Sequence, residues 1–241
     1  MKFFLTGGAV RDELLGVEAK DNDYIIIDAD RDELLLRKFE PVGKGFEVFL
    51  HPDTKEEYCL ALENDLYKEL ERRDLTVNSI AKDIETGNYY DPFNGLEDIQ
   101  NNTLRHTSDF FSEDPIRILR LARFKAQYPK FSIHKDTLCL CEALSRNKSL
   151  FDSMVGERFL IELKRALSLP SPTIFFELLR EWGTLNLFFS ELSQLWKIPQ
   201  KKEYHSEGDC WDHTMLVLKK SCELSSSFSV RFACLIHDLG K

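Results

Sequence analysis

The sequence runs to 241 residues, 43 % of them hydrophobic and 30 % charged, with a formal net charge of -9 at pH 7. Such a chain is long enough for one large or two small cores, and no apolar run in it approaches the roughly 18 residues needed to span a bilayer. The opening "MKFFLTGGAVRD" turns polar too soon for a signal peptide, so a soluble cytoplasmic protein with no membrane partner is expected.

The chain begins with a β-rich apolar run, "KFFLT", that stops at Gly7-Gly8. A helix is expected from Gly8, carrying Arg11 one turn in. Asp21-Asn22-Asp23 then leads into a second strand, "DYIIID". "GFEVFLH" and "EEYCLAL" read as two further strands separated by the turn-like "PDTK", with helices starting near Asp30 and Asp74. "GNYYDPFNG" supplies another strand followed by turn chemistry. After about Asp109 the pattern changes to helical spacing. "EDPIRILRLARFKAQY", "KDTLCLCEALSRN", "GERFLIELKRALSL", "PTIFFELLREWG" and "WDHTMLVLKKSCEL" are each bounded by Pro, Gly, Ser or Asn. The fold class is therefore α+β: a mixed strand-and-helix head over 1–108, then an all-helical body from 109.

Three features carry candidate chemistry. Glycines at a strand-to-helix turn let backbone N–H groups approach a phosphate, and Arg11 could reach the same group; on its own, Gly-Gly before a helix is equally a simple tight turn. Asp21 and Asp23, two residues apart in an expected strand, would share a face, and a divalent cation resolves the repulsion between them; a solvated turn is the bland alternative. Together the two features make a compact device, with phosphates at the turn and Mg²⁺ at the carboxylates, of a spacing that suits nucleotidyl transfer. Within an acidic protein, Asp114 to Gln127 carries four basic and one acidic residue, with Arg117, Arg120 and Arg123 at every third position. Asp114 and Arg117, three apart, are expected on one helical face. The six cysteines (Cys59, Cys139, Cys141, Cys210, Cys222, Cys234) form no CxxC pair and read as reduced thiols.

"GGAVRDELLGVEAKDND" closely resembles the signature of the bacterial (class II) tRNA nucleotidyltransferases, the CCA-adding enzymes. "ERRDLTVNSIA", "DPFNGLEDIQNNTLRH", "EDPIRILRLARF" and "GERFLIELKRAL" resemble that family's ribose, hinge, template and supporting-helix segments in order. The resemblance implies a polymerase-beta-like head, with Asp21 and Asp23 holding catalytic Mg²⁺ and Gly8 and Arg11 contacting the triphosphate. It implies that Asp74 accepts from a ribose hydroxyl beside Arg73, and that Asp114 and Arg117 present a Watson–Crick-like edge to C and A. Arg120 and Arg123 are then expected at nucleotide phosphates or the rim of the site. Glu57 is a candidate third carboxylate by its place in a strand. The implied substrates are CTP, ATP and a tRNA 3′ end.

Two departures leave alternatives open. Only Glu63 to Leu70 separates the "EEYCLAL" strand from "ERRD", where full CCA-adding members carry a longer flexible loop; a short segment here favours CC addition alone. From 201 to 241, "CWDHTMLVLKK" and "FACLIHDLGK" resemble the opening of an HD phosphohydrolase domain. His213, His237 and Asp238 would be its first ligands for Ni²⁺ or another divalent ion, in a domain expected to be truncated at Lys241. The helical body is thus assigned to 109–200. A poly(A) polymerase of the same fold and an HD phosphohydrolase are the remaining readings.

Overall fold

The computed structural model describes residues 1–19, 21–42, 47–152, 154, 156–200 and 208–240. The chain separates into two compact units, Met1–Glu113 and Asp114–Lys241.

The first unit is built on a seven-stranded mixed sheet. In chain order its strands are β1 (Lys2–Thr6), β2 (Asp23–Ile27), β3 (Glu40–Val42), β4 (Val48–Leu50), β5 (Glu57–Leu60), β6 (Ala81–Asp83) and β7 (Tyr89–Tyr90). They lie in the order β3-β4-β5-β2-β1-β6-β7. The β2–β5 pair is parallel, with Asp23 opposite Glu57, and β1 runs antiparallel to β2 with Thr6 opposite Asp23. The continuous apolar run in β2 follows from burial on both faces of the sheet. Ile25 packs with Phe4, Cys59, Leu66 and Leu70 on one side, while Ile26 packs with Leu34, Phe39 and Phe49 on the other. Helix α1 (Gly8–Leu14) follows β1, and α2 (Arg31–Leu36) brings Leu34 to the second face, with the Asp30 carboxylate accepting from Glu33 N–H at 2.9 Å as an N-cap.

Between β5 and Arg72, a 3₁₀ turn (Leu62–Asn64) leads into α3 (Leu66–Glu71), capped by Asp65, whose Leu66 and Leu70 fill the core. One expectation for this unit needs correcting. The helix expected from Asp74 is only a 3₁₀ turn at Thr76–Asn78. The apolar residues that would have extended that helix, Leu75, Val77 and Ile80, are all fully buried, so tertiary packing overrides helical spacing there. Helix α4 (Gly95–Gln100) follows β7, its first N–H groups on Gly95 and Leu96 donating to the Asp91 carboxylate at 2.7 and 2.8 Å.

The second unit is helical apart from a two-residue extended stretch, Ser132–Ile133. Its helices are α5 (Ile116–Gln127), α6 (Lys135–Arg146), α7 (Gly156–Leu167), α8 (Thr173–Glu181), α9 (Leu185–Phe188), α10 (Ser190–Gln194), α11 (Cys210–Leu224) and α12 (Phe228–Ile236). Helix α5 packs against α7 and α8, and α11 against α12. Fully buried Ile118, Leu119, Leu121 and Ala122 on α5 meet a core that includes Leu167, Phe175 and Leu179. Arg231 of α12, itself buried, donates to the carbonyls of Leu167 and Leu169 at 2.6 and 2.8 Å and so caps the C-terminus of α7.

Candidate active site

The Thr6–Asp23 and Asp23–Glu57 registers put the end of β1 and the starts of β2 and β5 at one end of the sheet. Gly7, the residue after β1, takes φ 67°, a left-handed conformation that glycine adopts without Cβ strain. A Cβ there would stand 3.5 Å from Arg73 Nη1 and 3.8 Å from Asp23 Oδ2. The glycine turn, one aspartate of the pair and the arginine of the "ERRD" quartet therefore converge on a single point. Asp21 is exposed and lies in a bend before β2, so strand alternation does not govern its direction. Among the described residues neither Asp21 nor Asp23 is engaged in an ion pair, and two such carboxylates suit an oxygen-loving divalent ion. Asp21, Asp23 and Glu57 do not form a group of three with ligand atoms within 4.8 Å of one another.

Arg11 is more buried than its expected place beside a triphosphate suggests. It is 7 % exposed, pairs with Asp12 at 2.7 Å and donates to Asn78 Oδ1 at 2.6 Å. Asn78 in turn donates to Asp74 Oδ1 at 2.9 Å, where Leu75 N–H also donates. Arg11, Asn78 and buried Asp74 thus form one polar chain tying α1 to the 3₁₀ turn. Gly8 opens α1, its Cβ position 3.5 Å from Arg11 Nη2.

Within the second unit, Asp114 precedes α5 and accepts from Ile116 N–H at 3.2 Å. Arg158 of α7 grips the same carboxylate with both terminal nitrogens, Nη1 at 3.2 Å and Nη2 at 2.5 Å. Arg117 follows on the first turn of α5, and Arg120 lies 5.7 Å from the Phe124 ring centroid. Arg123, expected at phosphates or the site rim, is instead 8 % exposed. Its Nε donates to Glu162 at 2.6 Å, its Nη1 to Gln127 at 3.2 Å, and its guanidinium lies 4.2 Å from the Phe124 centroid. Burial pushes the Arg123 pKa down, and the Glu162 charge opposes that shift. Advancing three residues per step around a helix of 3.6 residues per turn, the arginine row drifts off its starting face and delivers this third member to the interior.

His213 on α11 meets His237 and Asp238 just beyond α12. Among the described residues these are the only three potential ligands whose donor atoms all lie within 4.8 Å of one another. His237 Nδ1 is 2.7 Å from the Cys234 carbonyl, which turns Nε2 toward Asp238 at 3.3 Å, an arrangement common to metal-ligating histidines. The cysteines are free thiols. No helix of the described residues is long and apolar enough to cross a membrane.

Three contributors were not visible as sites in the sequence. Glu69, Asn78 and Arg158 hold Arg73, Asp74 and Asp114 respectively. Glu69 and Asn78 carried a local signal, Glu69 preceding Arg72 and Arg73 by three and four residues and Asn78 following Asp74 by four, whereas Arg158 lies 44 residues from Asp114.

Residues 44–105 match the family described as the poly A polymerase head domain, and residues 130–195 match a probable RNA and SrmB-binding site of polymerase A. With the mixed sheet, these matches give the chain the arrangement of a poly A polymerase head followed by a helical body. The multifunctional CCA protein of Teredinibacter turnerae is 46 % identical over 261 residues, covering all of this chain and 63 % of that protein. That of Psychromonas ingrahamii is 44 % identical with the same coverage. The chain is similar over its whole length to these bacterial CCA proteins, and spans 63 % of their length. In fold it is similar to the Thermotoga maritima CCA-adding enzyme complexed with tRNA (TM-score 0.77, 22 % identity, 99 % of this chain and 58 % of that one). It is similar also to a tRNA-processing enzyme with CTP (TM-score 0.72, 24 % identity, 99 % of this chain and 67 % of that one).

Proposed function

We propose that the chain transfers CMP and AMP from CTP and ATP to the 3′ end of tRNA, without a nucleic-acid template, to build the CCA terminus in the cytoplasm. The observation that carries this reading is the convergence of Asp23 and Arg73 on the Gly7 turn, in a chain homologous over its whole length to CCA proteins. The tRNA 3′ hydroxyl attacks the α-phosphate, the bond to the β-phosphate oxygen breaks, and pyrophosphate leaves. Mg²⁺ held by Asp21 and Asp23 would supply charge neutralisation at the transferring phosphorus and activate the attacking hydroxyl. Gly7 and Gly8 leave the turn open to the triphosphate, and Arg73 offers it a guanidinium. Arg11 braces the turn through Asp12 and Asn78, and Asn78 orients Asp74 toward the ribose. In the helical unit, Asp114 and Arg117 select the base and Arg120 contributes positive charge near phosphate.

The test uses tRNA transcripts ending at the discriminator base, at C, and at CC, supplied with CTP, ATP and Mg²⁺ and resolved to one nucleotide. Addition abolished by Asp21→Ala and by Asp23→Ala supports the reading; normal addition by either variant overturns it.

A second reading is favoured by one feature. The segment between β5 and "ERRD" is a capped turn and helix whose leucines are core residues, which leaves no long loop to reshape the pocket between C and A. Under that reading extension halts after CC.

A further inference from the structure

Glu69 is an acidic side chain with only 1 % of its surface exposed. A carboxylate so removed from water is costly unless it is paired and hydrogen-bonded. Its Oε2 is 3.0 Å from Arg72 Nε and accepts from Leu62 N–H at 3.3 Å, while its Oε1 is 3.7 Å from Arg73 Nη2. Arg73 therefore has two differently engaged ends. Nη2 faces a buried negative charge, and Nη1 lies at the Gly7 turn, 3.5 Å from the point that Asp23 Oδ2 approaches to 3.8 Å. Among the described residues Arg73 Nε is buried and makes no hydrogen bond, so the pose of the guanidinium depends on its two terminal nitrogens, of which Nη2 faces Glu69.

We propose that Glu69 is a positioning residue. Its buried carboxylate holds Arg73 at the Gly7 turn and shares the guanidinium charge, so that Arg73 faces the triphosphate and does not collapse onto Asp23. This inference rests on the proposed nucleotidyl-transfer reading. With position 69 uncharged, Arg73 keeps Asp23 as a carboxylate that shares the Gly7 turn with its Nη1. An Arg73–Asp23 pair would then withdraw both a phosphate contact and a metal ligand from the site. A glutamate that only anchored Arg72 would have no such effect, and the difference can be measured.

The experiment is calorimetric titration of the chain with CTP in the presence of Mg²⁺ and without tRNA, on wild type, Glu69→Gln, Arg73→Ala and the double variant. Glu69→Gln keeps the shape of the side chain while removing its charge. It is expected to weaken CTP binding about tenfold, on the scale of one hydrogen bond to a charged group, and to have no further effect once Arg73 is alanine. Wild-type affinity in Glu69→Gln, or effects of the two substitutions that multiply, would overturn the proposal while leaving the transferase reading intact. Failure of the wild-type chain to bind CTP in this titration, and ATP in a parallel one, would instead overturn the transferase reading, and this proposal with it. Glu69→Asp retains the charge but shortens its reach to Arg73, and serves if Glu69→Gln does not fold; CTP affinity several-fold weaker is expected, and unchanged affinity counts against the proposal.

Discussion

Arg158 holds Asp114 in a two-point grip that links the start of α7 to the residue before α5, 44 positions apart in sequence. Bidentate geometry of this kind fixes the plane of a carboxylate as well as its place. Both side chains are partly exposed, at 48 % and 30 %, so the pair is worth about 0–1 kcal/mol to stability. Under the proposed function, its use is orientation of Asp114 as a base-selecting acceptor. Arg158→Ala is expected to leave the melting temperature nearly unchanged while raising incorporation of UTP and GTP several-fold. Unaltered nucleotide selection in that variant would detach Asp114 from base choice.

Gly95 sits where α4 meets the Thr76 turn, and its need for glycine is one of space. A Cβ there would lie 2.2 Å from the Thr76 carbonyl oxygen and 2.7 Å from Ile80 Cγ1. Because the closer atom belongs to the backbone, relief requires moving the turn that also carries Asn78. Gly95→Ala is expected to destabilise the chain by about 1–3 kcal/mol, the usual cost of overpacking, in urea unfolding. A change under about 0.5 kcal/mol, typical of unremarkable surface sites, would show that the turn yields freely.

Burial pushes the Cys59 thiol up from 9.0 to about 11, with the Glu69 charge adding to the shift. A thiol whose folded pKa lies above its unfolded one contributes stability in full below the unfolded value, and loses it as pH rises through the folded value. Stability should therefore fall between pH 9 and about 11 by up to about 2–3 kcal/mol from this residue. Cys141, pushed up to about 12 by burial, adds to the same decline. Denaturant melts across this range, compared with those of Cys59→Ala, should show a shallower fall in the variant. Parallel profiles would place the alkaline loss elsewhere.

The His213–His237–Asp238 cluster is expected to take a divalent ion. Ni²⁺ at about a hundredfold excess over its Kd should stabilise the chain by about 2.7 kcal/mol, read as a rise in melting temperature. His213→Ala should remove that response without altering nucleotide binding. An unchanged response in the variant would assign the metal effect to other ligands.

Elements whose residues act within their own strand or helix were legible from local pattern. The stop of β1 at Gly7-Gly8, the two-sided burial of "YIII" and the apolar spacing of α5, α7, α8 and α11 are local patterns, and each element formed where its pattern lies. The pattern placed Asp23 correctly at the start of β2, while Asp21 falls in the bend before it and is not governed by strand alternation. Folding decided what depends on partners distant in the chain. The helical spacing at "LTVNSIA" lost to core packing, the drifting arginine row delivered Arg123 to a buried Glu162, and "ENDLYKEL" became a helix that installs Glu69 beneath the arginines. Asn78 bridges to Arg11 across 67 residues, and Arg158 to Asp114 across 44. Periodicity reports which face of an element is apolar, but the partner of a buried charge is fixed only when packing excludes water and leaves that charge a single opposite neighbour.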